Sequence, residues 1–437
     1  MHGWLQFLCA QEVVWLVERG SGDTGWSGLG LESIAIVTVS HRRDLIRTKN
    51  TNCGWSRFMG RALTLFTLLV CSTTGLSAQN SIESDNAFMR YIKRVFEADE
   101  NPTAPKLINY PTLAFAPETN WEIGVSSLYV YSANRDLTNR LSETKSFAFY
   151  TLENQYGLWL DHALYTDKDK WFFLGKARYQ NFPLLYHGIG RESPAEVQSM
   201  IEGRYLIFRE RIMRETRRSL YVGLELDFQK LSGVGYTSST QDFTPPEFGG
   251  AGSTNLGLGL GVIYNNIYNA MNPRQGVYSE WGFLAYDAFT GSDFDFVSYI
   301  SDNRFYKPIQ ANKVLAFQIY GQLTTGTPPF NMLALMGGET LMRGYYLGRY
   351  RDKNQVAGQV EYRVLPFSFS KRLGASVFMA TGQVFGDDFS FDWKHFLPAG
   401  GAGLRFLIFP TKDIYTRLDM AFTSEGQGFY FFIGEAF

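Results

Sequence analysis

From residue 107 to residue 437, apolar and polar side chains alternate, the period-two pattern of strands that face an apolar phase on one side and a polar one on the other. The rhythm predicts strands at 107–116, 120–132, 144–153, 155–166, 170–180, 203–215, 218–231, 254–266, 276–288, 294–307, 312–324, 355–366, 373–385, 399–409, 412–423 and 428–437. Sixteen is an even number, and most segments are long enough to cross a bilayer as tilted strands. With a periplasmic N-terminus, alternate connections should be short inner turns. YTDKDKW, RETRRS, NAMNPRQG, KPIQANK, FSFSKR and FPTKDI fill those places, while long connections near 181–201, 232–253 and 325–354 fall on the outer side. One inner connection, SANRDLTNRLSE, is longer than such turns usually are. The expected fold is all-β: a sixteen-stranded antiparallel transmembrane barrel closed into a cylinder.

The chain ahead of the barrel divides into three. Residues 1–58 show no consistent period and read as an upstream segment from a start site placed too early. Residues 59–78, MGRALTLFTLLVCSTTGLSA, combine a basic Arg61, a short apolar run and small residues, which fits a secretory signal peptide cleaved after Ala78. Val70 stands before Cys71 where a lipobox wants a small residue, which speaks against a lipid anchor. Residues 79–106 read as a linker with a short amphipathic helix, Phe88, Ile92, Val95 and Phe96 sharing one face. Cys9, Cys53 and Cys71 all precede Gln79, so a mature chain would hold neither a disulfide nor a thiolate metal site.

Composition sharpens this picture. Aromatics reach 16%, yet mean hydropathy is only -0.16, because the rings are spread singly between polar residues. A soluble sandwich would not account for such outward rings; a barrel in outer-membrane lipid does. Lys and Arg number 41 against 42 Asp and Glu, so no basic field recruits nucleic acid. The closing GFYFFIGEAF ends on an aromatic, and Gly434 with Phe437 is the expected signal for the outer-membrane barrel assembly machinery.

The stretch GGETLMRGYYLGRYRDKN, residues 337–354, is dense in Gly, Arg and Tyr. Together with QVAGQVEYR, FMATGQVF, GAGLRF, TRLDMAF and the closing strand, it resembles the barrel domain of the BamA/TamA-like outer-membrane superfamily, the bacterial surface antigen family. The resemblance covers about 107–437 and is to members made of the bare barrel, since neither POTRA repeats nor a patatin-like domain fit in 79–106. It implies that the loop between the eleventh and twelfth strands folds into the lumen, its tip Arg343, Gly344 and Tyr345 latched to acidic groups of the inner wall. Parity agrees: Ala357, Gln359, Glu361 and Arg363 share the face opposite Val356, Val360 and Tyr362, so Glu361 lies on the wall that Arg343 would meet. Arg405, Arg417 and Asp419 are also lumen-facing by parity, and Asp419 is a second candidate for Arg343. The family's thirteenth-strand aspartate is missing: Ala380 occupies that place.

The resemblance implies a role in outer-membrane protein assembly, translocation or envelope maintenance, with periplasmic partners and a weak seam between first and last strands; Gly426 and Gly428 would loosen its edge or serve as ordinary hairpin-turn residues. The alternative is a passive pore or transporter, although the inward Glu280, Glu361, Arg363, Arg405, Arg417 and Asp419 are mixed in sign and give no ion selectivity. No enzyme is expected. His162 and Asp161 point to opposite faces, His187 and His395 fall in loops where solvation is expected, and no nucleophile elbow occurs. No cofactor is expected either: the Gly-x-Gly-x-Gly of GLGLGVIYNN lies inside a strand, without the helix N-terminus that cradles phosphate.

Overall fold

Period-two patterning becomes a single wall of strands in the computed structural model, which describes residues 101–116, 120–181, 183–238 and 243–437. The upstream segment 1–58, the signal peptide 59–78 and the helix of linker 79–106 lie outside the described residues. The strands are β1 (Lys106–Ala116), β2 (Asn120–Ser132), β3 (Leu141–Thr151), β4 (Tyr156–Tyr165), β5 (Trp171–Asn181), β6 (Leu184–Tyr186), β7 (Ser199–Arg217), β8 (Leu220–Ser238), β9 (Ser253–Asn265), β10 (Gly276–Tyr286), β11 (Phe296–Gln310), β12 (Lys313–Gly326), β13 (Ala334–Met336), β14 (Tyr350–Asp352), β15 (Asn354–Val364), β16 (Leu373–Phe385), β17 (Leu397–Phe409), β18 (Ile414–Thr423) and β19 (Gln427–Ile433). β13 and β14 pair with each other, and the rest form a 17-stranded antiparallel sheet. The three-residue β6 prolongs the line of β5 along β7, which leaves sixteen long strands as the wall.

The polarity of this wall is the reverse of a soluble protein's. Leu158, Trp281, Ile319, Met379 and Leu404 point outward and are more than half exposed, whereas Arg178, Arg211, Arg304, Arg363 and Arg405 point inward and are buried. That is the arrangement a lipid-embedded barrel requires. Inward charges are paired: Arg178 with Asp161 at 2.8 Å, and Arg211 with Glu225 at 3.0 Å and Glu280 at 2.6 Å. The Gly-x-Gly-x-Gly run supplies room for them. Gly257 and Gly261 face inward on β9; a Cβ at Gly257 would meet the Tyr286 ring, and one at Gly261 would collide with the Glu225 carboxylate.

Three expectations need correction. The cylinder is not closed by backbone pairing: consecutive wall strands are in register from β1–β2 to β18–β19, but among the described residues no register joins β1 to β19. The expected last strand 428–437 ends at Ile433, because Gly434 takes φ +94, a left-handed conformation that turns the chain off the sheet. Its N–H donates to the Tyr415 carbonyl at 2.7 Å, that of Glu435 donates to the Met271 carbonyl at 2.8 Å, and Phe437 finishes buried. The long inner connection shortens to 133–140, because β3 begins at Leu141, and Asn139 Nδ2 ties it by donating to the Ala133 carbonyl at 2.9 Å.

Gly261→Val is expected to lower folding stability by about 1–3 kcal/mol, the usual cost of forcing atoms into a packed interior. Gly235→Ala, whose Cβ meets nothing within 4 Å, should be close to neutral. Urea unfolding in lipid vesicles, read by heat-modifiable gel migration, measures both; equal midpoints would show that the glycine run is not a packing requirement.

Candidate functional site

Residues 327–353, between β12 and β15, enclose the candidate site. β13 and β14 pair with Ala334 opposite Asp352 and Met336 opposite Tyr350, and this small hairpin stiffens the base of the loop. Its tip turns on residues of positive φ, Met342 at +56 and Gly344 at +106. Glycine is required at the second for two reasons. The left-handed conformation disfavours a side chain, and a Cβ there would come 2.6 Å from Thr423 Cγ2. The close approach lets the Gly344 N–H donate to the Tyr430 hydroxyl of β19 at 2.7 Å. Tyr345 is buried, its hydroxyl 3.2 Å from the Pro398 carbonyl.

Arg343 is driven fully out of solvent. Its Nη2 lies 2.5 Å from Glu361 Oε2 and its Nη1 lies 2.6 Å from Asp419 Oδ2, so one fork of donors joins β15 to β18. The guanidinium also rests on the ring of Phe378, 3.4 Å from its centre. Arg405 bridges the same carboxylates, at 3.3 Å from Glu361 and 2.6 Å from Asp419, and reaches Glu435 at 2.9 Å. Arg363 lies 2.9 Å from Glu361, and Arg417 lies 2.6 Å from Asp419 and donates to the Glu339 carbonyl of the loop at 3.0 Å. Four guanidiniums thus share Glu361, Asp419 and Glu435, which keeps each ion paired where water is excluded.

The basic residues after the tip fasten the outer end of the loop. Arg349 binds Glu425 at 2.6 Å and Ser193 Oγ at 3.0 Å, and the Tyr350 hydroxyl donates to the same Glu425. Arg351 stacks over Tyr186, 5.1 Å from its ring centre, and Lys353 lies 2.5 Å from Asp387. His187, expected to be solvated, is instead buried beneath this cap. Burial and the neighbouring Arg349 cation push its imidazole from 6.5 down to about 4. His395 remains exposed, 3.0 Å from Asp392.

Arg343, Glu361, Arg363, Arg405, Arg417 and Asp419 therefore meet in one cluster. Gly344 and Tyr345 stand beside it, and Phe437 closes its inner end by accepting from Arg363 Nη2 at 2.9 Å through its main-chain oxygen. Gly434 does not touch the charges; it sets the turn that brings Glu435 in. Ala380 faces inward as expected and contributes no polar atom, and nearby Gln359 Nε2 holds the loop by donating to the Thr340 carbonyl at 2.8 Å. Sequence reasoning missed Phe378, Glu425 and Glu435. Phe378 shares Ala380's face of β16, so parity carried a signal for it; Glu425 and Glu435 sit in turns, where no period applies.

Arg343→Ala should weaken loop docking by about 3 kcal/mol, the lower end for breaking a buried ion pair, because Arg363, Arg405 and Arg417 still neutralise the carboxylates. Limited proteolysis within 326–353 is expected to accelerate at least tenfold while the barrel stays folded; an unchanged rate refutes the latch. The outer cap should also respond to acid. His187 is neutral in the folded state, so the cap loses stability as pH falls from about 6.5 toward about 4. Protease nicking in 183–198 should rise over that window in the wild type and flatten in His187→Gln.

Residues 146–437 match the Omp85 superfamily domain. No curated protein matches the sequence. Among solved structures, BamA from Haemophilus ducreyi lacking POTRA domains 1-3 is similar at 14% identity and TM-score 0.47, over 75% of this chain and 69% of that one. CdiB from Escherichia coli is similar at 11% identity and TM-score 0.49, over 73% and 58%, and CdiB from Acinetobacter baumannii at 11% and 0.47, over 76% and 66%. This chain spans less than two thirds of the length of either CdiB chain. With the domain match extending over most of its residues, the chain belongs to the Omp85 superfamily and is a β-barrel protein of the bacterial outer membrane.

Proposed function

We propose that this barrel acts on other envelope polypeptides at the gap between β1 and β19, inserting or translocating them, with the lumen loop as the element that holds the gap. The observation that carries the reading is the link between the two. Fifteen neighbouring wall pairs have a backbone register, β1 and β19 have none among the described residues, and the loop tip is bonded to β19 through Gly344 and Tyr430. A strand with free edge groups is a template for another strand, which is the chemistry that adding or passing a β-segment needs. Residues 59–78 act on this reading as the export signal and 79–106 as a short periplasmic linker where a periplasmic partner would dock.

Superfamily members are transporters or assembly factors, which suits this role. The runner-up, a passive pore, fits the interior less well. The loop tip is buried against the inner wall, and two cavities beside the loop are small, about 80 Å³ each.

Depletion in the native organism, followed by quantitative survey of outer-membrane proteins and lipids, tests the proposal: levels of one or more barrel proteins should fall, and unchanged levels across all of them would remove it. In planar bilayers the wild type is expected to be mostly closed with brief openings. A steady, large open state would favour the pore instead.

A further inference from the structure

The wall has no backbone register between β1 and β19 among the described residues, yet its two edges are not free to part. NAMNPRQG, expected as a plain inner turn, belongs to a connection of ten residues, 266–275, where a β-hairpin needs about two to five. That connection leaves the wall at the point farthest from the gap: eight wall strands run from β1 to β9, and eight from β10 to β19. Its surplus residues reach both sides of the gap.

On the β1 side, the Tyr268 hydroxyl donates to the Leu137 carbonyl of the β2–β3 turn at 2.7 Å. On the β19 side, the hold is on the β17–β18 turn. Asn269 Nδ2 donates to the Lys412 carbonyl at 2.9 Å, and Asn272 Nδ2 to that of Asp413 at 3.1 Å. Arg274 grips the Asp413 carboxylate with two donors, Nε at 2.5 Å and Nη2 at 2.7 Å, and its Nη1 reaches the Leu365 carbonyl at 2.9 Å. The connection keeps one shape without pairing as a strand, because Asn265 Oδ1 accepts from the Ile267 N–H at 2.9 Å and Asn269 Oδ1 from that of Met271 at 3.0 Å. Ile267 and Met271 are buried in the same apolar core as Ala436 and Phe437, and the Met271 carbonyl accepts the Glu435 N–H of the tail. Lys412 Nζ adds a tie to the segment ahead of β1, donating to the Pro102 carbonyl at 3.3 Å.

We propose that residues 266–275 are a strap that clasps the gap across the inner mouth, in place of the register that β1 and β19 lack among the described residues, and that the gap widens only when one end of the strap lets go. The lumen loop cannot substitute for it: Arg343 and Gly344 are bonded to β15, β18 and β19, on one side of the gap. The two devices also differ in what parting costs. Arg343, Glu361 and Asp419 are fully buried, so separating them strands charge away from water. Arg274 and Asp413 keep 27% and 39% of their side chains exposed, and Tyr268 is exposed too, so each strap end exchanges its partner for water when released. The strap acts on the unpaired edges whatever passes between them, so a failed depletion test leaves it standing.

Spin labels report the gap directly in lipid vesicles, in a chain with Cys9, Cys53 and Cys71 replaced by serine. Tyr129→Cys of β2 and Leu418→Cys of β18 place them on exposed positions one strand back from each edge, opposite Leu107 and Phe431. With the strap intact the pair should give one narrow distance distribution. Arg274→Ala should move it to longer distances, while a control pair, Leu418→Cys with Phe317→Cys of β12, stays unchanged. Tyr268→Phe cuts the other end and should do the same. Because the two ends act in series, cutting either is enough, and the double variant should match the longer single variant. If Arg274→Ala shows no heat-modifiable band, Tyr268→Phe alone decides. An unmoved distribution, a double variant whose shifts add, or a shift shared by the control pair overturns the strap.

Discussion

A guanidinium removed from water needs negative charge within reach, and the lumen of this barrel is organised around meeting that need for Arg343. Glu361 and Asp419 must both face inward at one depth, which fixes the parity of β15 and β18. The loop must bend sharply enough to bring its tip to them, which Met342 and Gly344 accomplish with left-handed backbone. Phe378 supplies the remaining surface of the cation, so the position that Ala380 leaves without a carboxylate is offset by an aromatic on the same face and by Asp419 two strands along the wall. Broken, such a cluster costs more than it contributes intact, so its value lies in specifying one docked arrangement of the loop.

The same reversal of polarity explains why glycine is used so freely. Large outward side chains meet lipid and need no partner, but large inward side chains compete for a narrow interior. Gly257 and Gly261 yield space to Tyr286 and Glu225, and Gly428 to the ring of Tyr430, without which the hydroxyl that meets Gly344 would have no place. Gly428 is thus a packing position in register with Ala421, and the last strand is short, seven residues ahead of the turn at Gly434.

Most of the wall was legible from the period alone, because one face in lipid and one in a polar lumen impose strict alternation on every strand. The inward set Glu361, Arg363, Arg405, Arg417 and Asp419 followed from parity, and Arg343 from the resemblance of its loop. What escaped lies where alternation stops. Glu435 follows the left-handed Gly434, Glu425 sits in a three-residue turn, and the burial of His187 depends on how separate outer loops pack over it, through Arg349 and Arg351. Strand ends escaped for the same reason: β7 and β8 run on to Ser199 and Ser238 because their outer halves pair with each other beyond the lipid belt, where no polarity pattern is enforced.

The cluster also joins the loop tip to the turned-in tail. Arg405 touches Glu361, Asp419 and Glu435 at once, so the loop tip on one side and the turned-in tail on the other draw on the same cation. Groups that share a buried counter-ion cannot be removed independently: withdrawing Arg343 leaves Glu361 and Asp419 to bid more strongly for Arg405, and withdrawing Glu435 frees Arg405 to hold them harder. The first change strengthens the remaining wall contacts at the expense of the tail, and the second weakens the demand for the loop. Loop and tail are therefore energetically coupled through one stretch of wall, and the strand they both adjoin is β19, the one whose outer edge has no neighbour in register among the described residues.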